Sequence, residues 1–209
     1  MLGGTFDPVH LGHLGSAKDV ARAFDLSQVL LVLSSRPPHK EEAEQAPVSD
    51  RWQMLLLAVA SEPLLAPSDL EVRRAGPSYT VDTLRELGRA EPQAELHLVI
   101  GIDAWLEVDT WSRSEQLLAL AHVIVTTRPG EDFPARGLDP PVAAASACWY
   151  DSTIGCWVHN SGHRLVAHRV EGVDASSSDI RRRVHSGLSI AHLVPPAVAE
   201  YIQRHGLYA

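Results

Sequence analysis

Two histidines stand three residues apart in a glycine-rich segment near the start of the chain. The segment reads Gly3-Gly4-Thr5-Phe6-Asp7-Pro8-Val9-His10-Leu11-Gly12-His13 and leads into an apolar helical pattern. His10 and His13 therefore lie on one face of a helix start, where N–H groups and the helix dipole favour an anion. We expect Gly3 and Gly4 to let the backbone turn tightly toward a ligand, and Gly12 to leave room for a phosphate. These residues predict a phosphate site. Histidines that only cap the helix are the structural alternative, and zinc is disfavoured because no third ligand is adjacent.

Short apolar runs alternate with helical patterns along the chain, and these elements would position the histidine segment. The strand-like runs lie at 28–33, 95–101, 122–126 and 164–170. After Ser49, one helical face carries Trp52, Leu55, Leu56 and Val59, and a last helix opens at Pro195-Pro196 and closes at Gly206. This alternation predicts an α/β fold, a Rossmann-like doubly wound parallel sheet. We expect a single domain over residues 1–209 with a C-terminal helical part at 176–209, and an insertion or cap at 129–163.

Composition and charge exclude several classes of protein. The chain has 209 residues, of which 45% are hydrophobic and 21% are charged, with a net charge of −8. This balance predicts a folded core and argues against general binding of nucleic acid, so any phosphate site must be local. No apolar run approaches the roughly 20 residues of a membrane span, and no signal peptide is visible. The cysteines and histidines at 148, 156, 159 and 163 fit no common zinc motif. We therefore expect a soluble, cytoplasmic protein without a resident metal of its own.

The first segment resembles the signature of the HxGH nucleotidyltransferases, and its GGTFDP form resembles the nicotinate-mononucleotide adenylyltransferase family in particular. Further motifs of that family follow in order along nearly the whole chain. They are Pro37-Pro38-His39-Lys40, Arg51 with Met54, Pro77-Ser78-Tyr79-Thr80, Gly101-Ile102-Asp103, Thr110-Trp111, Arg128-Pro129-Gly130 and Ser176-Ser177-Ser178-Asp179-Ile180-Arg181. The histidine motif alone would indicate only the superfamily, whereas the ordered set is specific.

The resemblance implies transfer of AMP from ATP to nicotinate mononucleotide, with release of pyrophosphate, in NAD biosynthesis. The attacking phosphate oxygen is largely ionised at neutral pH, since the second pKa of a phosphate monoester is about 6, so no general base is needed. The reaction needs alignment of two polyanions and stabilisation of the charge that develops on the phosphates. Mg²⁺ bound through the ATP phosphates is the implied cofactor, with few protein ligands.

The resemblance also assigns residues to roles. The implied catalytic residues are His10, His13, Lys40 and Arg181. The implied ATP site comprises Gly4, Thr5, Phe6, His10, His13, Gly101, Asp103, Ser176, Ser177, Ser178, Ile180 and Arg181. The implied nicotinate mononucleotide site comprises Lys40, Thr80, Asp103, Trp111 and Arg128, with Trp111 stacked on the pyridine ring. Structural alternatives stay open: a solvated Lys40, a core Trp111, a helix-capping Asp103 and an Arg128 in a loop salt bridge.

The start of the sequence leaves room for other interpretations. Only Met1 and Leu2 precede Gly3, so the first strand is very short or the sequence begins late, and we expect the second. The alternative functions are a pantetheine-phosphate adenylyltransferase of the same superfamily and a nucleotide-binding homologue without turnover. The implied partners are ATP and nicotinate mononucleotide, without nucleic acid or membrane, and a homo-oligomer stays open.

Overall fold

The structure, a computed structural model, describes residues 1–36, 45–133 and 138–209. Its strands in chain order are β1 (Leu2–Gly4), β2 (Val29–Leu33), β3 (Leu65–Ser68), β4 (His97–Gly101), β5 (His122–Thr126), β6 (Cys148–Asp151), β7 (Cys156–His159) and β8 (Arg164–His168). Its α-helices are α1 (Leu11–Ala23), α2 (Val48–Val59), α3 (Leu70–Arg73), α4 (Thr80–Ala90), α5 (Ile102–Trp105), α6 (Leu117–Leu120), α7 (Ser177–His185) and α8 (Pro196–His205). The chain divides into two compact units, which we call the terminal unit (residues 3–77 and 171–209) and the middle unit (residues 1–2 and 78–170).

The terminal unit is built on the parallel strands β2 and β3. They pair from Val29 with Leu65 to Val32 with Ser68, and the N–H of Ser34 donates to the carbonyl of Gly4 at 2.8 Å. Helix α1 packs against both strands, and α2 packs against α8. The apolar side chains buried between these helices and strands hold the histidine segment, which runs from the end of β1 to the start of α1, within one unit.

The middle unit contains a longer series of paired strands than the terminal unit. Leu2 pairs in parallel with Val99 of β4, and β4, β5 and β8 continue as parallel neighbours. Strands β7 and β6 then join in antiparallel pairing. Residues 123–125 of β5 are 0% exposed, as expected for a strand covered on both faces. The mostly parallel strands with flanking helices confirm the predicted α/β class.

The structure departs from the sequence pattern at several elements. The strands predicted at 28–33 and 95–101 begin one and two residues later, and β3, which contains Pro67, was not predicted. The segment expected to be an insertion or cap forms a 3₁₀ turn at Val142–Ala147 and the β6–β7 hairpin, which extends the sheet of the middle unit. The single domain stays a prediction.

Helix α2 turns inward a face that shares Leu55 and Val59 with the predicted face but is rotated from it. Its buried residues are Arg51, Met54, Leu55, Ala58 and Val59, whereas Trp52 and Leu56 are only half-buried. The predicted helical periodicity of apolar residues was therefore right, but the centre of the buried face was wrong. The physical reason is that Arg51 finds carbonyl acceptors inside the unit, so a charged side chain occupies an inward position.

No helix among the residues that the structure describes is both long enough and apolar enough to cross a membrane.

Candidate active site

His10 and His13 lie at the start of α1, where they cap the helix reciprocally. The backbone N–H of His13 donates to Nδ1 of His10, and the backbone N–H of His10 donates to Nδ1 of His13, each at 3.3 Å. The two rings are stacked with their centroids 3.6 Å apart. Because both Nδ1 atoms accept, the proton of each neutral ring lies on Nε2. The helix cap and a phosphate site are therefore compatible, since the cap fixes the tautomer and Nε2 is the nitrogen with which each ring donates.

A buried aromatic ring supports His13 from the preceding loop. Phe6 is 1% exposed, and its ring meets that of His13 edge-on with centroids 5.0 Å apart. The tight turn predicted at Gly3 and Gly4 is wrong, because both residues belong to β1 and the left-handed backbone is that of Phe6, with φ of 46°. A Cβ on Gly4 would stand 3.0 Å from the Phe6 ring. A glycine is therefore needed at position 4 because the Phe6 ring lies where a larger residue would place its Cβ.

Gly12 is explained by its protein neighbours as well. A Cβ at this position would stand 3.0 Å from Nδ1 of His10 and 3.2 Å from the carbonyl oxygen of Val173. The room that we predicted for a phosphate is thus filled by the His10 ring and this carbonyl. Gly12 sets the position of His10, and any effect on a phosphate is indirect.

The start of α7 lies against the loop that precedes α1. Ser176 caps α7, with its Oγ accepting from the N–H of Asp179 at 3.2 Å. The Ser177 hydroxyl donates to the carbonyl of Pro8 at 3.0 Å, and Nη1 of Arg181 donates to the carbonyl of Asp7 at 2.8 Å. The structure therefore brings the two segments that carry the predicted ATP residues of the terminal unit side by side.

The other residues of α7 divide between core and surface. Ile180 is 0% exposed and Ser178 is exposed. Arg182 and Arg183 both pair with Asp179, and the hydrogen bond from Arg183 is the main cause that lowers the pKa of that carboxyl. Arg181 thus differs from Arg182 and Arg183 in its partner, because it contacts residue 7 rather than Asp179.

Arg51 holds the backbone that precedes the two histidines through hydrogen bonds to main-chain carbonyls. This arginine is 2% exposed, and its Nη1 donates to the carbonyls of Thr5 and Ser34, both at 2.8 Å, while its Nε donates to the carbonyl of Ala46 at 3.0 Å. Burial lowers the pKa of its guanidinium, and the nearby Asp7 carboxylate opposes that shift. Three backbone segments of the terminal unit are held by one side chain.

In the middle unit, two predicted site residues form an ion pair. Nε and Nη2 of Arg128 donate to Oδ2 of Asp103 at 3.0 and 2.7 Å. Both side chains are about half exposed or more, so the pair contributes little to stability. Asp103 lies in α5, directly after Gly101 at the end of β4. The predicted alternative of a loop salt bridge for Arg128 is therefore present, and its partner is itself a predicted site residue.

The two remaining predicted residues of the middle unit stand at helix ends. Thr80 is the first residue of α4, and Trp111 follows the 3₁₀ turn at Val108–Thr110. Trp111 is half-buried and packs against the apolar core of the middle unit, so part of its ring surface has a structural role.

Comparison with known proteins identifies the family to which this chain belongs. Residues 1–183 match the cytidylyltransferase-like family model. A protein of Syntrophotalea carbinolica named "Probable nicotinate-nucleotide adenylyltransferase" is 40% identical over 100% of this chain and 95% of its own length, and one of Thermus thermophilus with the same name is 41% identical over 100% and 97%. The chain belongs to the nicotinate-nucleotide adenylyltransferases.

Solved structures show the same fold. A Plasmodium falciparum nicotinic acid mononucleotide adenylyltransferase complexed with NaAD superposes with a TM-score of 0.73 at 16% identity, over 99% of this chain and 95% of that one. The same enzyme complexed with APC gives a TM-score of 0.72, also at 16% identity, over 99% of this chain and 94% of that one. This likeness shows that the α/β fold of this adenylyltransferase is that of its structural neighbours.

Two residues that contact the site segments of the adenylyltransferase were not assigned roles from the sequence. Asp7 was quoted only as part of the motif and Tyr208 not at all, although the Tyr208 hydroxyl donates to Oδ1 of Asp7 at 2.6 Å. An acidic residue inside an otherwise apolar and glycine-rich motif was the one available signal. Lys40 lies outside the described residues.

One group of described side chains in this adenylyltransferase brings metal-ligand types together. Ligand atoms of Glu95, His97 and His122 lie within 4.8 Å of one another. Nε2 of His122 is 2.8 Å from Glu95, and its Nδ1 accepts from the N–H of Arg164 at 3.1 Å, so the proton of the neutral ring lies on Nε2. The His97 and His122 rings are stacked within 18° of parallel, so their lone pairs do not converge. The geometry is that of a histidine–carboxylate pair rather than an ion site.

Proposed function

We propose that His10, His13 and Arg181 stabilise the triphosphate of ATP while this adenylyltransferase transfers AMP to nicotinate mononucleotide. The enzyme forms nicotinate adenine dinucleotide and pyrophosphate, a step of NAD biosynthesis. The observation that carries the proposal is the reciprocal bonding of His10 and His13, which turns both Nδ1 atoms to the backbone and leaves Nε2 as the donor on each ring.

The transfer needs stabilisation of charge more than proton transfer. An oxygen of the mononucleotide phosphate forms a bond to the α-phosphorus of ATP, and the bond from that phosphorus to the bridging oxygen breaks, so that pyrophosphate leaves with the electron pair. The attacking oxygen is largely ionised at neutral pH, since the second pKa of a phosphate monoester is about 6. Negative charge grows on the α-phosphate and on pyrophosphate, where preorganised donors lower the barrier.

In the terminal unit, the proposed donors come from two helix starts. Nε2–H of His10 and of His13 donate to phosphate oxygens, and the guanidinium of Arg181, anchored by its Nη1 on residue 7, suits a phosphate because of its fork of N–H groups. The start of α7 at Ser176, Ser177 and Ser178 adds backbone N–H groups and the favourable end of a helix dipole. Lys40 keeps its predicted catalytic role.

The other residues predicted for ATP divide by burial. Phe6 and Ile180 have buried side chains, so their proposed part is to hold His13 and α7 in place. Gly4 and Thr5 belong to the backbone that Phe6 and Arg51 fix. In the middle unit, Gly101 at the end of β4 and Asp103 in the following helix α5 are both exposed, and a carboxylate beyond the end of a parallel strand suits ribose hydroxyls.

For the mononucleotide, we propose residues of the middle unit. Arg128 binds the phosphate and Asp103 the ribose, and the ion pair between them keeps both side chains oriented before substrate arrives. The exposed part of Trp111 stacks on the pyridine ring, and the backbone near Thr80 receives its carboxylate.

The family implies a divalent metal, and Mg²⁺ held by the ATP phosphates fits the described residues best. The Asp7 carboxylate faces Ala46, Tyr208 and Arg181, and Oδ2 of Asp103 faces Arg128, so neither carboxylate is arranged to enclose a cation. When bound, the ion neutralises phosphate charge. A cytoplasmic location, the absence of nucleic-acid partners and association into a homo-oligomer stay predictions.

The test is the turnover of His13→Ala, measured as pyrophosphate release with ATP, Mg²⁺ and nicotinate mononucleotide. We expect kcat to fall roughly 10²-fold, the scale of one lost oxyanion donor. His192→Ala, which removes an exposed histidine outside the proposed site, is the matched control. Loss of the cap costs about 1 kcal/mol, so the variant stays folded, and an unchanged kcat would remove His13 from the catalytic residues.

A further inference from the structure

The carboxylate of Asp7 is a point where separate segments of the terminal unit meet. Its Oδ1 accepts from the hydroxyl of Tyr208 at 2.6 Å and from the N–H of Ala46 at 3.2 Å. Its Oδ2 lies 3.6 Å from Nη1 of Arg181, and the same nitrogen donates to the main-chain carbonyl of Asp7. The Asp7 side chain is 3% exposed. A charge this deeply buried depends on its partners, so changing one partner changes how the carboxylate meets the others.

Tyr208 is the partner that comes from farthest along the chain. It lies two residues after Gly206, which caps α8, and its φ of 64° is left-handed, a conformation that an aromatic residue adopts only when its surroundings hold it there. Burial, together with the Asp7 carboxylate, raises the pKa of its hydroxyl far above the usual range. The hydroxyl therefore remains a donor to Oδ1 throughout the pH range of ordinary assays.

We propose that Tyr208 is a positioning residue for AMP transfer and acts on Arg181 through Asp7. The inference rests on the role proposed above for Arg181. With Oδ1 held by Tyr208 and Ala46, the carboxylate has one orientation, and its Oδ2 and the main-chain carbonyl together fix Nη1 of Arg181. Without the tyrosine hydroxyl only the N–H of Ala46 holds Oδ1, so the orientation of the carboxylate is less firmly fixed and the Arg181 guanidinium loses part of its preorganisation.

The chain contains a matched control for this hydrogen bond. Tyr201 in α8 donates its hydroxyl to Oδ1 of Asp50 at 2.8 Å, and that bond raises the pKa of its hydroxyl too. The chemistry of the pair is the same, but Asp50 lies in α2, outside the residues proposed for the site. Tyr201→Phe therefore removes a tyrosine–aspartate bond from the same unit without touching Asp7.

The first experiment compares Tyr208→Phe and Tyr201→Phe with the native chain in pyrophosphate release with ATP, Mg²⁺ and nicotinate mononucleotide, well below the melting temperature of each. We expect Tyr208→Phe to lower kcat roughly ten-fold, the scale of one hydrogen bond to a charged group, with little change in KM for the mononucleotide. Tyr201→Phe should keep the native kcat. A native kcat in Tyr208→Phe would overturn the proposal.

The second experiment separates positioning from a structural role. Tyr208→Phe is added to Arg181→Ala, and if the tyrosine acts through Arg181 it should cause no further loss of kcat in that background. The same ten-fold loss in both backgrounds would overturn the proposal while leaving the function proposed for Arg181 intact. If Arg181→Ala alone keeps the native kcat, the roles proposed for Arg181 and Tyr208 are both refuted. The proposal of adenylyl transfer would not be refuted by that result, because it is tested by the rate of the native chain.

Discussion

Gly12→Ala tests the position of His10 with the smallest change the chain allows. The added Cβ would stand 3.0 Å from Nδ1 and 3.1 Å from Cε1 of His10, and ordinary contact begins at 3.4 Å. The ring must therefore move by about 0.4 Å, and it is stacked at 3.6 Å on His13, so the two rings shift together. Since a displacement of about 1 Å costs roughly 10²-fold in rate, we expect kcat to fall roughly ten-fold.

Gly15→Ala is the control in the same helix. A Cβ at Gly15 meets nothing within 4 Å, so alanine fits there without moving a neighbour. Because alanine is the better helix former, this variant should gain up to about 1 kcal/mol in the free energy of unfolding and keep the native kcat. In Gly12→Ala the same gain is offset by the contacts with His10 and Val173, so its stability should stay near the native value.

The assay is initial pyrophosphate release at saturating ATP and nicotinate mononucleotide, with unfolding in urea measured on the same preparations. Loss of kcat in Gly12→Ala without loss of stability is the expected outcome. A native kcat in Gly12→Ala would refute the reasoning that the rings need their exact place. An equal loss in Gly15→Ala would show that α1 as a whole, rather than the histidine pair, limits the rate.

Three further outcomes are expected. Trp111→Ala should raise KM for nicotinate mononucleotide far more than KM for ATP, and steady-state kinetics showing equal changes would assign Trp111 to the core alone. Burial is the main cause that lowers the pKa of His97; Glu95 opposes this shift, and the Met1 amino group and His163 add to it. Because the pKa is lower in the folded state, the stability that neutral His97 contributes is present above about pH 6.5 and is lost as pH falls. His97→Gln should therefore flatten the acid side of a curve of unfolding free energy against pH, measured by urea unfolding, and His192→Gln should not. Ile180→Ala should lower the free energy of unfolding by roughly 2–5 kcal/mol and Ile180→Val by roughly 0.5–1.5 kcal/mol, because the side chain is 0% exposed; a native urea midpoint for Ile180→Ala would contradict that packing.

Local features of the site could be predicted from the sequence because they depend on short-range spacing. His10 and His13 stand three residues apart, so any helix that begins there brings their rings together. The buried strand β5 could be predicted because its residues are apolar without interruption.

Features that depend on contacts distant in sequence could not be predicted. The bond between Tyr208 and Asp7 joins residues 201 positions apart, and no periodicity signals such a pair. The inward position of Arg51 in α2 was not predicted, because a hydropathy pattern assigns arginine to solvent, whereas three backbone carbonyls accept its hydrogen bonds inside the unit. Gly12 was explained by a ligand, although its crowding comes from the protein itself.

The most direct test of the account is pyrophosphate release by the native chain with ATP and Mg²⁺ and one of three acceptors: nicotinate mononucleotide, nicotinamide mononucleotide or 4′-phosphopantetheine. The account predicts turnover with nicotinate mononucleotide that exceeds the rates with the other two. Turnover with 4′-phosphopantetheine, or no turnover with any acceptor by protein shown to be folded, would contradict it.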